Sequence, residues 1–221
     1  MVCYNDFATP AVRQKIVGKV AQGKIVALVS DAGTPLISDP GYKLVQEALK
    51  QGLSVTALPG ASAIITALTL SGLPTDRFYF GGFLPAKQQG RVSVLEAVKA
   101  VDATLVFYES ANRLTESLED IRQVLGEREA VVARELTKTY EEVKRGSLEE
   151  LVAWSQEHPP RGEMVVMIAS PGKEGWSEEE VIAALSKAME EMSVKDAVAF
   201  VTEHTGMPKR EVYRLALGLK A

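Results

Sequence analysis

Short apolar runs alternate with stretches of helical spacing in the first third of the chain. The runs at 24–29 and 53–58 are nearly continuous in apolar residues and rich in β-branched side chains, which is typical of buried strands in a parallel sheet. Apolar residues recur at helical spacing over 42–50 and 64–70, after the two runs. The pattern therefore predicts a first α/β domain over residues 1–74.

The spacing of the strands changes after a linker at 73–77, and a second α/β domain is predicted over residues 75–172. Its predicted strands lie at 77–84, 104–108, 129–134 and 162–169. Helices are predicted at 92–101, at 110–125 with Ser110 as its cap, and at 147–157 with a capping box that Ser147 opens. Gly81 and Gly82 interrupt the first strand, which indicates a β-bulge or a close approach.

Residues 173–221 have the pattern of a small helical tail. Predicted helices lie at 177–192, 193–203 and 209–219. Short helices joined by a glycine turn, here at 204–208, are typical of a helix-turn-helix. The last helix carries a local basic patch of Lys209, Arg210 and Arg214.

Composition excludes several classes of protein. The chain has 221 residues, 46% of them hydrophobic, and a formal net charge of −4, which argues against a general coat of basic charge for nucleic-acid binding. Cys3 is the only cysteine and the chain has two histidines, so an internal disulfide is excluded and a metal site would need carboxylates alone. No apolar run approaches the roughly 18 residues of a membrane helix, and no signal-peptide pattern opens the chain. A soluble cytoplasmic protein without a membrane partner or a bound metal is expected.

Two loops after the predicted strands of the first domain have the composition of a ligand site. The loop 30–41 contains two Asp, two Ser, one Thr, two Pro and two Gly. Asp39 is well placed as the N-cap of the next helix, with Pro40 as its first residue. In the loop 59–63, Ser62 can cap a helix while it faces a ligand. Open α/β sheets bind ligands at the carboxyl ends of their strands, so the two loops predict one shared site.

Three further stretches place charged side chains near strand ends. Glu109 and Arg113 follow the strand 104–108, and the stretch 134–142 contains Arg-Glu-Leu-Thr-Lys with glutamates shortly after it. A polar loop after the strand 77–84 carries Lys87 and Arg91. Surface ion pairs and a surface hairpin are the alternatives to a functional role for these stretches.

The same stretches resemble the S-adenosylmethionine-dependent methyltransferases that methylate a cytidine ribose 2′-oxygen in the decoding region of small-subunit ribosomal RNA, within the tetrapyrrole-methylase superfamily. The most specific matches lie at 30–41, 107–113 and 134–142, and the resemblance covers nearly the whole chain. It implies two α/β domains of tetrapyrrole-methylase type with a small helix-turn-helix-like tail. It also implies S-adenosyl-L-methionine in the cleft between the domains, a homodimer, and ribosomal RNA of the small subunit as the partner.

The resemblance assigns residues to three roles. The implied cofactor-binding residues are Asp31, Gly33, Thr34, Pro35, Ile37, Ser38, Asp39, Ser62, Ala63, Tyr108, Gly162, Glu163 and Met164. The implied catalytic residues are Glu109, Arg113, Arg134, Glu135 and Lys138. The implied RNA-binding residues are Lys87, Arg91, Lys209, Arg210 and Arg214. Family members usually carry Pro and His where this chain has Ala111 and Asn112, so a histidine base at that point is excluded.

Some alternatives stay open from the sequence. The candidates for a general base, or for a charge that favours the alkoxide, are the implied catalytic residues and Glu142, and the sequence does not choose among them. Family members begin with an additional strand and helix that this sequence lacks, so a fragment or truncated form is expected. A methyltransferase of the same fold acting on a small tetrapyrrole is one alternative function, although the basic tail argues against it. A non-catalytic RNA-binding module is another.

Overall fold

A computed structural model describes residues 2–5, 7–158, 161–171, 178–205 and 209–219. The chain divides into two compact units. The first unit contains residues 1–99 and 103–169, and the second contains residues 100–102 and 170–221. The predicted domain boundary at 74/75 lies inside the first unit and stays a prediction.

The first part of the chain is helical where helices were predicted, but the two predicted strands are wrong. Helices α2 Tyr42–Lys50 and α3 Ala63–Ser71 lie where helical spacing predicted them, and helix α1 Pro10–Ala21 precedes them. In the described residues, the runs 24–29 and 53–58 join no strand ladder. Most of their apolar side chains are exposed, with Ile25 at 99%, whereas Leu28 and Leu53 are partly buried. A strand needs a neighbour for its backbone N–H and C=O groups, and an apolar run without such a neighbour stays outside the sheet.

A five-stranded mixed sheet forms the centre of the first unit, in the order β1-β2-β5-β3-β4. The strands are β1 Phe78–Phe83, β2 Thr104–Ser110, β3 Glu129–Arg134, β4 Glu142–Ser147 and β5 Glu163–Ile168. The pair β1 and β2 is parallel, and the other pairs are antiparallel. Strand β4 was not predicted from the sequence. It lies at the edge of the sheet and pairs with β3 alone.

Three helices accompany the sheet, and their starts differ from two of the predictions. They are α4 Gln88–Val98, α5 Leu114–Leu125 and α6 Leu148–Glu157. Helix α4 begins four residues before the predicted position, which places Arg91 inside it. Ser110 makes no side-chain cap, and a short 3₁₀ turn precedes α5. The capping box that opens α6 is confirmed, because the Ser147 side chain accepts from the Glu150 N–H and the Glu150 side chain accepts from the Ser147 N–H.

The predicted bulge in β1 is confirmed and has a packing reason. The register between β1 and β2 shifts between Phe80 and Phe83, around the two glycines. A Cβ atom on Gly81 would lie 2.3 Å from the ring of Phe107, which is fully buried in β2. Only glycine therefore lets β1 approach the core at this point.

Among its described residues the second unit contains three helices, in agreement with the prediction for the tail. They are α7 Glu178–Glu191, α8 Val194–Thr205 and α9 Lys209–Gly218. All three contribute to one buried apolar cluster, which includes Leu185, Val198 and Val212. The basic residues of α9 lie on its exposed positions.

Candidate active site

A cavity of about 720 Å³ lies inside the first unit, where the two polar loops meet one end of the sheet. Its wall is formed by residues of the loop 30–39, of the stretch 61–66, of the ends of β1 to β3, of the β3–β4 connection and of the start of β5. Small-molecule sites in proteins have volumes of about 300–1,000 Å³. The cavity therefore has the size of a site for a cofactor.

The loop 30–41 is held in an unusual backbone conformation. Leu36 and Ser38 have positive φ angles of 74° and 54°, which are uncommon for residues other than glycine. Gly41 has a φ of 141°, and a Cβ atom there would lie 2.6 Å from the side chain of Leu28. Helix α2 begins at Tyr42 after Gly41, so the prediction that Asp39 caps it is wrong. Asp31 and Asp39, the two acidic residues of this loop, both lie on the cavity wall.

The second loop is joined to the first by a hydrogen bond. The Thr34 hydroxyl donates to the Ala61 carbonyl oxygen over 2.8 Å. Ser62 caps α3 as predicted, because its hydroxyl accepts from the Ile65 N–H at 3.5 Å. One turn later, the Thr66 hydroxyl donates to the Ser62 carbonyl oxygen. Both polar loops therefore form one continuous side of the cavity.

The connection between β3 and β4 forms the charged side of the cavity. Arg134 and Glu142 form an ion pair at 2.6 Å, and Lys138 and Glu135 form another at 3.1 Å. Glu135 and Thr137 have positive φ angles of 49° and 64°. Together with Leu36 and Ser38 they are all the non-glycine residues with positive φ in the described part of the chain. Strained backbone of this kind clusters at functional sites.

Aromatic rings cover the part of the wall between these two sides. Tyr108 on β2 packs edge-on against Phe80, with ring centroids 5.0 Å apart, and against Phe83 at 5.2 Å. Burial, followed by the negative charge of Glu163, raises the pKa of the Tyr108 hydroxyl above its usual value. Tyr108 therefore stays neutral at ordinary pH and contributes a ring and a hydroxyl donor to the cavity.

The structure places Glu109 and Arg113, which were predicted to be catalytic, outside the wall of the cavity. Glu109 is fully buried and lies outside the cavity wall. Its carboxylate accepts from the Ser110 N–H at 2.7 Å and from the Ser117 hydroxyl at 2.6 Å, and it pairs with Arg113 at 2.6 Å. The Arg113 guanidinium also donates to the Leu84 carbonyl oxygen. The pair is a structural link between β1, β2 and α5, in which the Glu109 side chain is fully buried and the Arg113 side chain is 26% exposed.

The prediction that Arg91 contacts RNA is wrong, because Arg91 is buried and does not lie on the surface. Its exposed fraction is 2%, and its guanidinium binds Asp120 through Nε at 2.8 Å and Nη2 at 2.7 Å. A further nitrogen donates to the Ala86 carbonyl oxygen at 3.0 Å. The predicted RNA contacts that remain exposed are Lys87, Lys209, Arg210 and Arg214.

The cavity brings together most of the residues that the sequence had indicated. The predicted cofactor-binding residues on its wall are Asp31, Gly33, Thr34, Ile37, Ser38, Asp39, Ser62, Ala63, Tyr108, Gly162, Glu163 and Met164. Pro35 does not line it. Of the predicted catalytic residues, Arg134, Glu135 and Lys138 line it. Sequence reasoning missed Thr66 and Phe83, although Thr66 lies one helical turn after Ser62 and shares its face.

The described residues contain neither a cluster of metal ligands nor a helix that could span a membrane. No group of three or more His, Cys, Asp and Glu residues there has an arrangement that could hold a metal ion. None of the helices described is both long enough and apolar enough to cross a membrane.

Comparison with known proteins connects this site to a family. Residues 7–152 match the family model for tetrapyrrole (corrin/porphyrin) methylases, and residues 177–220 match the model for the RsmI C-terminal HTH domain. The fold is similar to that of the methyltransferase CobJ, with a TM-score of 0.54 and 21% identity over 72% of this chain and 70% of that chain. It is also similar to that of a diphthine synthase, with a TM-score of 0.56 and 20% identity over 72% of this chain and 65% of that chain.

Relatives of higher identity extend over nearly the whole chain. The ribosomal RNA small subunit methyltransferase I of Halalkalibacterium halodurans is 41% identical over 97% of this chain and 77% of its own length. The protein of the same name from Escherichia coli O157:H7 is 46% identical over 92% of this chain and 73% of its own length. The expected α/β class and family are thus confirmed, and this chain belongs to the tetrapyrrole methylase family, within its group of small-subunit ribosomal RNA methyltransferases I.

Proposed function

We propose that this chain transfers a methyl group from S-adenosylmethionine to the ribose 2′-oxygen of a cytidine in small-subunit ribosomal RNA. The observation that carries the proposal is the cavity, in which two polar loops face the charged residues Arg134, Glu135 and Lys138. One side has the features of a cofactor site, and the other presents groups that can act on a hydroxyl. The relatives that are more than 40% identical support ribosomal RNA as the substrate.

The residues of the cavity fit S-adenosylmethionine in size and chemistry. The cofactor carries hydroxyl, amino and carboxylate groups, and the loops offer the side chains of Asp31, Ser38 and Ser62 to such groups. A Cβ atom on Gly33 would meet nothing within 4 Å, so the loop leaves open space at that point. Tyr108 and Phe83 supply aromatic surface for an apolar or planar part of the ligand. When bound, the cofactor supplies a methyl group that its sulfonium already activates.

The reaction then requires that the ribose 2′-hydroxyl is positioned next to the methyl group and that a nearby group accepts the hydroxyl proton. A ribose 2′-hydroxyl is a weak nucleophile near neutral pH, so a group that accepts its proton increases its reactivity. Glu135 presents carboxylate oxygens on the cavity wall, and Lys138 places an ammonium group 3.1 Å from one of them. In our proposal Glu135 accepts the hydrogen bond of the hydroxyl, and Lys138 stabilises negative charge that develops on the oxygen. Arg134 pairs with Glu142 and holds the base of the loop.

The alternative functions have less support. A small tetrapyrrole substrate requires no helical extension, whereas residues 177–220 match the RsmI C-terminal HTH domain. A non-catalytic RNA-binding module has no need for strained loops around a cofactor-sized cavity. We further propose that exposed Lys87 and the basic residues of α9 contact RNA phosphates. In this proposal the protein acts as a homodimer on the small ribosomal subunit. Because the substrate is ribosomal, the proposed reaction takes place in the cytoplasm.

The proposal is tested by methyl transfer to small ribosomal subunits that lack the modification. The wild-type chain should incorporate labelled methyl groups at one cytidine ribose, located by mass spectrometry of nuclease fragments. Glu135→Gln should lower kcat by roughly 10²–10⁴-fold, the usual contribution of a positioned acid–base group. Glu157→Gln, at the end of α6 and outside the cavity wall, is the matched control and should retain the wild-type kcat. Full kcat in Glu135→Gln would refute the role of Glu135, and methylation of a base instead of a ribose would refute the assigned reaction.

A further inference from the structure

The loop that carries Glu135 and Lys138 also carries an exposed aromatic ring. We propose that Tyr140 is a stacking platform for an unpaired nucleobase of the RNA at the mouth of the cavity. This inference rests on the proposed function and adds a specificity-determining contact to it. Nothing in the methyl transfer itself requires Tyr140, which lies outside the cavity wall.

Hydrogen bonds define the conformation of the loop and hence the position of Tyr140. The Lys138 N–H donates to the Glu135 carbonyl oxygen at 3.0 Å, and the Glu141 N–H donates to the Lys138 carbonyl oxygen at 3.1 Å. The Thr137 N–H donates to the Glu141 carboxylate at 2.7 Å. Tyr140 therefore belongs to a closed turn that begins at Lys138, a residue of the cavity wall. A contact at Tyr140 is a contact at the rim of the site.

Tyr140 is the most exposed of the six tyrosines of the chain, with 76% of its surface open to solvent. A large aromatic side chain held outside the protein on a closed turn gains little from folding, because its apolar area stays in water. Covering the ring with a flat partner would recover that area. Each nucleobase has two flat faces, and stacking on an aromatic side chain is how proteins commonly hold single-stranded RNA.

The charges around Tyr140 favour a base over a phosphate group as the partner. Glu135 and Glu142 are each paired with a cation of the same loop, and the third carboxylate of the loop, that of Glu141, accepts a backbone hydrogen bond. The stretch thus contains three acidic and two basic side chains and has no excess positive charge. A neutral base is tolerated beside such a loop, whereas a phosphate would be repelled. Bases in a duplex are already stacked, so the partner must be an unpaired nucleotide.

The experiment compares three variants of the full chain in steady-state methylation of small ribosomal subunits. Tyr140→Ala should raise the KM for the subunits by roughly 5- to 150-fold, the range expected for loss of one aromatic stack. Tyr140→Phe retains the ring and should keep the wild-type KM. Tyr42→Ala is the matched control, because Tyr42 is also exposed, at 62%, and lies at the start of α2 outside the cavity wall. The affinity for S-adenosylmethionine, measured by calorimetry, should be equal in all of them.

Four results would overturn the inference. An unchanged KM in Tyr140→Ala would show that the ring makes no contact with the substrate. An equal loss in Tyr140→Phe would assign the effect to the hydroxyl group and not to stacking. A weaker affinity of Tyr140→Ala for S-adenosylmethionine would place the effect in the cofactor site. A change of oligomeric state in Tyr140→Ala, measured by light scattering, would make Tyr140 part of a subunit contact.

Failure of the proposed function would have a different signature. In that case the wild-type chain would methylate no subunits at all. The Kd for a single-stranded, cytidine-containing RNA oligonucleotide would then decide the inference by itself. A weaker Kd for Tyr140→Ala than for the wild type would support the stacking contact, and an equal Kd would refute it.

Discussion

The substitution Gly162→Ala separates the geometry of the active site from the stability of the fold. Gly162 precedes β5 with a φ of +87°, and an added Cβ atom would lie 2.6 Å from Oε1 of Glu135. The backbone conformation costs about 1–2 kcal/mol for a residue with a Cβ. The carboxylate must also move, and it then leaves its present position 3.1 Å from the Lys138 ammonium group.

Two effects of different size follow for Gly162→Ala. The strain lowers the melting temperature by about 2–8 °C, since 1 kcal/mol corresponds to about 2–4 °C for a chain of this length. Displacement of a reacting group by about 1 Å can cost about 100-fold in rate, so kcat should fall roughly 10- to 100-fold. Thermal unfolding followed by circular dichroism gives the first quantity. Initial rates of methyl transfer at saturating substrates give the second.

Gly72→Ala is the matched control for this prediction. Gly72 ends α3 in the left-handed region with a φ of 80°, and a Cβ atom there would meet nothing within 4 Å. It carries the backbone cost alone, so its melting temperature should fall by a similar amount while kcat stays at the wild-type value. Full kcat in Gly162→Ala, or an equal loss of activity in Gly72→Ala, would show that the position of the Glu135 carboxylate does not determine the rate.

Two further predictions concern the fold and its dependence on pH. Arg91→Met leaves the buried Asp120 carboxylate without its cation and should lower the free energy of unfolding by about 3–5 kcal/mol in urea titrations. Lys87→Met, the control, should change the free energy of unfolding by less than about 0.5 kcal/mol. Similar losses in the two variants would refute the stabilising role of the buried ion pair. The pKa of the Tyr108 hydroxyl is raised in the folded protein, so the folded protein holds the hydroxyl proton more tightly than the unfolded chain does. The stability that this protonated hydroxyl contributes is therefore complete below about pH 10, and it is lost as the pH rises through the raised pKa. Tyr108→Phe should therefore lose less stability than the wild type above about pH 10, and Glu163→Gln should lower the pKa in a spectroscopic titration of the tyrosines.

Local signals in the sequence predicted the elements that local interactions determine. The capping box of Ser147 and Glu150 needs only residues three apart, and Ser62 caps α3 for the same reason. The strands of the sheet interior also carry continuous apolar runs that reveal them. Strand β4 has the polar sequence Glu-Val-Lys-Arg-Gly-Ser and lies at an edge of the sheet with one partner, so the apolar pattern could not reveal it.

Long-range contacts account for the predictions that were wrong. Arg91 has the appearance of a surface cation in a basic loop, but its partner Asp120 is 29 residues away and only the fold brings the two together. The run 24–29 has the composition of a strand, yet pairing depends on a neighbouring strand and not on composition. For the cavity, the resemblance to the family predicted most of the wall residues, whereas the pattern of apolar and polar positions predicted only the two loops.

We propose that the cavity between the polar loops and the charged β3–β4 connection holds S-adenosylmethionine. Calorimetric titration of the chain with S-adenosylmethionine measures this binding. We expect saturable binding that is strongly weakened by Asp31→Ala, on the cavity wall, and unchanged by Asp76→Ala, which is exposed and outside it. No heat of binding, or equal binding by the wild type and Asp31→Ala, would show that the cofactor does not bind in this cavity.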